Sequence, residues 1–248
     1  MKELKEHSSV FDVIDLGRKE QLTLIKQANG SRKITEETAL IIFLAPTEEA
    51  PKGRTMLVSD AGQAEIINQP PSQLLAKLDQ ESLHSQAEKI YIINTFLPSR
   101  YQNPHISGVG IFVPFDGPSK EETDWYNILL IRQVKKYQDK ETKSNGAEIR
   151  FKAGLSLRLP RGVTAVWEKI KDSLNRGHYY FKLYDQVLIA DNQKPTLTLP
   201  LIEKSLSELN LSSYLIPSEG MFQKSLVFFR KTEWLAHLAI VEEVTTWQ

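Results

Sequence analysis

Hydrophobic and polar residues alternate most regularly between Glu148 and Leu159. The apolar positions of this stretch are Ile149, Phe151, Ala153, Leu155, Leu157 and Leu159. A period of two residues is typical of a β-strand with one buried side and one side facing water. The pattern therefore predicts a strand over 148–159, which ends at Pro160-Arg161-Gly162.

The residues that follow change to a helical period. The apolar stripe of this helix consists of Val163, Val166, Trp167, Ile170 and Leu174. Gly177 lies where a helix C-terminal stop is expected, because glycine adopts the left-handed conformation at low cost. We predict that a second strand begins at His178, so that 146–190 forms a β-α-β unit.

The pattern of the chain before residue 146 predicts strands mixed with helices. We predict strands at 11–16, 21–26, 39–45, 55–58, 89–94 and 108–113. Asn29-Gly30 is a strong turn signal after the second of these. Helices are predicted from Pro70-Pro71 and, through a Ser119/Glu122 capping box, from Ser119 to about Tyr137. This order favours a small mixed α/β sheet.

The residues after 190 complete a second pattern. We predict a strand at 196–199, a helix from Pro200, a strand at 226–229 and a closing helix at 232–244. Together with 146–190, this is the β-α-β-β-α-β order of a ferredoxin-like fold. The polar stretch 139–145 suggests a boundary. We therefore expect an α+β protein with a mixed α/β domain over 1–145 and a ferredoxin-like domain over 146–248.

Composition narrows the classes of function. The 248 residues are 41% hydrophobic and 25% charged, which is typical of a globular protein. There are no cysteines, which excludes disulfides, zinc-thiolate sites, iron–sulfur clusters and cysteine nucleophiles. The N-terminus lacks the apolar run of a signal peptide, and Ala39–Ala45 is too short to span a membrane. We expect a cytoplasmic protein that does not enter membranes.

Positive charge is concentrated in the predicted β-α-β unit, although the whole chain carries 31 Lys and Arg against 31 Asp and Glu. Residues 146–190 contain eight Lys and Arg against four Asp and Glu. One open sheet face would collect the residues Arg150, Lys152, Arg158, Arg161, Tyr180, Lys182 and Tyr184. Cations and stacking rings in this arrangement are what single-stranded RNA or DNA requires. Lys and Tyr are also ordinary residues of a half-exposed strand.

A catalytic alternative rests on polar residues near strand ends. Asp60 and Asn94 each follow a predicted strand, and His105 lies in a loop rich in Pro and Gly. Together they could line a pocket for a hydrolytic reaction, although strand-end Asp and Asn are also common turn formers. The chain has no HExxH metal-binding motif and no GxxxxGK[ST] phosphate-binding loop, so we expect neither a metal site nor a cofactor. It also has no GxSxG motif, which would present a catalytic serine.

Three hypotheses follow from these patterns. The leading one is a non-catalytic module that binds a protein partner or single-stranded nucleic acid through the basic, aromatic face of 146–190. The alternative is a hydrolytic enzyme that uses Asp60, Asn94 and His105. A third is a structural subunit whose Tyr/Arg-rich face docks on another copy of itself, and the sequence leaves the oligomeric state open.

Overall fold

The computed structural model describes residues 9–17, 33–80, 85–97, 103–115, 123–139, 145–190 and 198–209. These residues form an α+β protein, as predicted, with two β-sheets and four α-helices. The strands are β1 (Ser9–Val10), β2 (Val13–Asp15), β3 (Thr38–Leu44), β4 (Arg54–Ser59), β5 (Gln63–Ile67), β6 (His105–Ser107), β7 (Gly110–Pro114), β8 (Trp125–Asn127), β9 (Ile131–Gln138), β10 (Asn145–Phe151) and β11 (Ser156–Leu159). The helices are α1 (Pro71–Gln80), α2 (Gln86–Phe96), α3 (Val163–Ala190) and α4 (Thr198–Glu208).

The larger sheet has seven antiparallel strands in the order β1-β5-β4-β3-β8-β7-β6. Its central strand β3 is buried along its whole length, as its unbroken run of apolar residues predicts. The predicted strands at 55–58 and 108–113 correspond to β4 and β7. Helix α1 is also confirmed, and its buried residues are Pro71, Leu74, Leu75 and Leu78.

The smaller sheet has the order β2-β11-β10-β9. Strand β2 pairs in parallel with β11, and the other neighbours are antiparallel. Two residues connect β1 to β2 and so carry the chain from one sheet to the other. Phe11 N donates to Gly62 O at 2.8 Å, and Ser156 N donates to Asp12 O at 2.9 Å. The two sheets are therefore tied together by backbone hydrogen bonds at this crossing.

The predicted single strand over 148–159 is wrong, because the chain reverses inside it. Strands β10 and β11 form a hairpin in which Phe151 N donates to Leu155 O at 2.8 Å, and Gly154 has a φ of +119°. Ile149 and Leu157 are direct cross-strand partners, so both lie on the same side of the sheet. The turn keeps the parity of the two strands, which explains why the alternation continues through it.

The predicted strand from His178 is also wrong. Helix α3 continues from Val163 to Ala190 without a stop at Gly177. A Cβ added at Gly177 would overlap with Ile111 Cδ1 of β7. Glycine is needed at this position because α3 approaches β7 closely, and a helix end is not involved.

Two other predicted elements change type. The predicted strand at 89–94 is part of α2, which begins with a capping box between Ser85 and Glu88. The helix predicted from Ser119 to about Tyr137 starts outside the described residues, and its remainder consists of strands β8 and β9 around the 3-10 turn Ile128–Leu130. The apolar residues of both stretches are buried in a sheet or against one. The spacing of apolar residues in such a short buried stretch does not distinguish a helix from a strand.

The described residues after 145 have the order β-β-α-α, and a ferredoxin-like arrangement is not confirmed. Residues 198–199, predicted as the end of a strand, belong to α4. The elements predicted at 21–26, 226–229 and 232–244 lie outside the described residues. A boundary at residue 145 would separate β9 from β10, which are hydrogen-bonded neighbours in one sheet.

Helix α3 packs against both sheets. One hydrophobic cluster contains Ile111 of the larger sheet, Ile149 and Leu157 of the smaller sheet, and Leu174 of α3. The side of the smaller sheet that faces α3 is therefore buried, and its opposite side is left for other contacts. In the described parts of the chain, no helix is both long and apolar enough to span a membrane.

Candidate functional site

The smaller sheet carries a row of charged side chains on the side turned away from α3. Lys135 of β9 and Arg158 of β11 are the direct cross-strand partners of Glu148 on β10. Asp15 of β2 follows Arg158 in the same row. Strand parity places eight side chains on this side, which we call the charged face: Asp15, Gln133, Lys135, Tyr137, Glu148, Arg150, Ser156 and Arg158.

Glu148 is the centre of the charged face. Its side chain is 7% exposed, and Lys135 Nζ lies 2.9 Å from its Oε1. Arg150 Nε donates to Oε1 and Arg158 Nε donates to Oε2, each at 3.2 Å. Burial raises the pKa of Glu148, but the hydrogen bonds from Lys135, Arg158 and Arg150 outweigh burial and hold the pKa below its ordinary value. Glu148 is therefore ionised at neutral pH.

An aromatic ring lies next to this cluster. The Arg158 guanidinium carbon is 4.3 Å from the centroid of the Tyr137 ring, within the range of a cation–π contact. A Cβ added at Gly146 would overlap with Leu159 O and would make only an ordinary contact, at 3.7 Å, with Tyr137 Cδ1. Gly146 thus allows β10 to approach the Leu159 carbonyl of β11 closely. The sequence pattern missed Tyr137 and Lys135, because it assigned both residues to a helix.

The cations of the charged face keep donors that Glu148 does not use. The side chains of Lys135, Arg150 and Arg158 are 38%, 50% and 32% exposed. Each arginine gives only its Nε to Glu148, and within the described part of the chain its terminal nitrogens have no hydrogen-bond partner. Four charged N–H-bearing nitrogens are therefore able to meet an anion from solution.

The sequence segment that contains β9, β10 and β11 has a net positive charge. Residues 131–161, which span β9 to the end of the β10–β11 hairpin, contain nine Lys and Arg against three Asp and Glu. The rest of the chain contains 22 Lys and Arg against 28 Asp and Glu. The chain as a whole has no net charge, but it contains one basic segment and is acidic elsewhere. This segment begins at about residue 131, earlier than the start at residue 146 that the sequence pattern suggested.

The other residues predicted for the basic face are dispersed. Lys152 is exposed in the hairpin turn with its Nζ 3.5 Å from Glu208 Oε2, and the Arg161 guanidinium lies 4.9 Å from the Phe115 ring centroid. Tyr180 is 3% exposed and stacks on Tyr184 with their centroids 5.8 Å apart. Lys182 and these two tyrosines belong to α3, so they do not share a strand face with Arg150 and Arg158.

The residues of the catalytic alternative do not come together as a set. Asp60 follows β4, and three strands separate β4 from β6, which contains His105. Asn94 lies on α2, where its Oδ1 accepts a hydrogen bond of 2.9 Å from Arg176 NH1. The Asp60 carboxylate accepts hydrogen bonds from the backbone of Ala153, and burial raises its pKa. Asp60 therefore braces the contact between the β4–β5 turn and the β10–β11 turn.

His105 belongs to a different polar cluster. Its Nε2 lies 3.6 Å from Asp79 Oδ1, and Lys89 Nζ lies 3.5 Å from the same oxygen. Lys89 Nζ also donates to Ile106 O at 2.8 Å. Burial, followed by the charge of Lys89, lowers the pKa of His105 to about 3, and burial also lowers the pKa of Lys89. A neutral histidine and the ion pair between Lys89 and Asp79 thus join α1, α2 and the edge strand β6.

No metal centre is formed by the described residues, among which no group of three or more His, Cys, Asp and Glu side chains could hold an ion. Of the sequence-predicted site residues, the structure brings Arg150 and Arg158 together, with Lys152 in the adjoining turn.

Comparisons of the chain with known protein families, with curated proteins and with solved structures find no match.

Proposed function

We propose that this protein is a non-catalytic binding module that engages single-stranded nucleic acid through the charged face. The observation that supports the proposal is the arrangement around Glu148. Three partly exposed cations surround one carboxylate, and the terminal nitrogens of Arg150 and Arg158 remain available as donors among the described residues. Guanidinium groups with free N–H donors bind phosphate oxygens in bidentate geometry.

The shape of the surface favours a single strand over a duplex. A sheet face presents side chains in a shallow layer, whereas direct reading of a duplex requires an element that enters a groove. The stacked pair of Tyr137 and Arg158 offers a planar cation on which a base can stack, and Arg150 lies one row away to meet a phosphate. Recognition of this type depends on stacking and charge, so we expect weak preference for base sequence.

The proposal is tested by fluorescence anisotropy with a labelled oligothymidylate of about 20 nucleotides, titrated with the full chain at several salt concentrations. We expect binding to weaken steeply with salt, with a slope of about 0.7 per phosphate contact for single strands. The double variant Arg150→Ala/Arg158→Ala should bind roughly tenfold or more weakly and should show a smaller salt slope. Lys52→Ala, which removes an exposed cation from the turn between β3 and β4, is the matched control and should bind like the unmodified protein.

The absence of binding to any oligonucleotide at low salt would remove this function. Binding of an acidic peptide under the same conditions, abolished by the same double variant, would assign the charged face to a protein partner instead. Equal loss of affinity in Lys52→Ala and in the double variant would show that general charge, and not this face, governs binding.

A further inference from the structure

We infer that Glu148 acts as an internal anion that positions the cations of the charged face and at the same time limits its affinity for a phosphodiester. This inference rests on the proposed function, since it concerns the same surface. It assigns a positioning and affinity-limiting role to a residue that does not itself offer donors to the ligand.

The positioning part follows from the contacts of Glu148. Its two carboxylate oxygens receive one nitrogen from each of Lys135, Arg150 and Arg158, at 2.9, 3.2 and 3.2 Å. These three side chains come from three adjacent strands, and each would otherwise rotate freely at a half-exposed position. Both arginines bind Glu148 through Nε alone, so their terminal nitrogens make no hydrogen bond to it.

The limiting part follows from burial and charge. Glu148 is 7% exposed, so a ligand cannot take its place and must bind above it while its charge remains. For a phosphodiester bound to the terminal nitrogens, we take a separation from this carboxylate of about 5 Å. Repulsion between two unit charges at that distance in water-like surroundings is close to 1 kcal/mol, which corresponds to roughly a fivefold loss of affinity.

Glutamine distinguishes the two roles, because it keeps the shape of glutamate and one of its two acceptor oxygens but removes the charge. We expect Glu148→Gln to bind labelled oligothymidylate roughly three- to tenfold more tightly than the unmodified chain at neutral pH and low salt. Glu148→Ala loses the charge and the acceptor together, so its affinity should lie between those of the unmodified chain and Glu148→Gln. Glu49→Gln, at an exposed position between β3 and β4, removes the same charge far from the face and is the matched control.

Thermal unfolding followed by circular dichroism establishes that each variant is folded before its affinity is compared. An affinity of Glu148→Gln and Glu148→Ala equal to or weaker than that of the unmodified chain, while that chain does bind, would overturn the limiting role and leave the proposed function intact. Equal tightening in Glu49→Gln would overturn it as well, because net charge alone would then explain the effect. No binding by any of the four proteins would overturn the proposed function itself, and this inference with it.

Discussion

Arg176 is the largest side chain that the described fold buries almost completely, at 1% exposure. Its Nε donates to Asp172 Oδ2 at 2.7 Å, NH1 donates to Asn94 Oδ1 at 2.9 Å, and NH2 donates to Leu97 O at 2.8 Å. A buried guanidinium is tolerated only when its donors are paired in this way. The side chain therefore fastens α3 to the C-terminal end of α2, a role that no local sequence pattern indicates.

Gly177 provides a test at the same scale. In an exposed helix interior, alanine is more favourable than glycine by about 1 kcal/mol. We expect the opposite sign here, with Gly177→Ala lowering the free energy of unfolding by about 1–3 kcal/mol, because its Cβ would collide with Ile111 Cδ1. Urea denaturation monitored by circular dichroism measures the difference.

The companion variant is Ile111→Val, which removes the Cδ1 methyl group that causes the collision. Gly177→Ala should cost clearly less in the Ile111→Val background than alone, so the two changes should be coupled. Strict additivity of the two changes would contradict the proposed contact. Ser207→Ala, at an exposed position of α4, controls for the helix propensity of alanine.

At the scale of elements, the reversal between β10 and β11 decides the geometry of the charged face. A continuous strand over 148–159 would place Glu148 and Arg158 about 30 Å apart, given a rise of about 3.3 Å per residue. The hairpin makes them direct cross-strand partners instead. The turn depends on Gly154, whose φ of +119° lies in a region that L-residues with a side chain seldom adopt.

We therefore expect Gly154→Ala to lower the free energy of unfolding by about 1–2 kcal/mol. Gly162 is the matched control, because a Cβ at either glycine meets nothing within 4 Å and only Gly154 has a positive φ. Chemical denaturation of Gly154→Ala and Gly162→Ala should show a loss in the first variant only. Similar stability of the two variants would argue against a conformational requirement at the turn.

At the scale of the whole molecule, α1, α2 and the edge of the larger sheet meet around the cluster of Asp79, Lys89 and His105. The folded pKa of His105 is about 3, below its unfolded value of about 6.5, because burial and the charge of Lys89 disfavour the protonated ring. The unfolded chain therefore takes up a proton first as the pH falls. The stability that neutral His105 contributes is complete above pH 6.5 and is lost progressively as the pH falls towards 3.

This linkage predicts acid sensitivity well above the range in which most carboxylates titrate. We expect His105 to lower the free energy of unfolding by about 2 kcal/mol between pH 7 and pH 5, and His105→Gln to lose most of that dependence. Urea denaturation at a series of pH values measures the slope. His178→Gln should retain most of it, because Glu203 partly offsets the lowering of the His178 pKa by burial. An unchanged slope in His105→Gln would show that this histidine is not kept neutral by the fold.

Periodicity along the chain determined which residues are buried more reliably than which element contains them. The alternation from Ile149 to Leu159 marks buried positions at every apolar residue except Ala153, which is exposed in the hairpin turn. The apolar run of β3 also marks buried positions, because burial of alternate or successive side chains is a local property. The same local signals identified α1 and the start of α3. They also identified two of the cations, Arg150 and Arg158, because alternate residues of a strand point to opposite sides of the sheet.

Only the tertiary structure decided where the chain turns and which distant residues meet. Lys135, Tyr137 and Glu148 come together through the register of β9 with β10. The local sequence around Gly177 indicates a helix stop. The structure shows instead that Ile111, from a distant part of the chain, packs against this glycine. Such contacts depend on packing and register between segments far apart in sequence, whereas periodicity reports only the side of a segment that is buried.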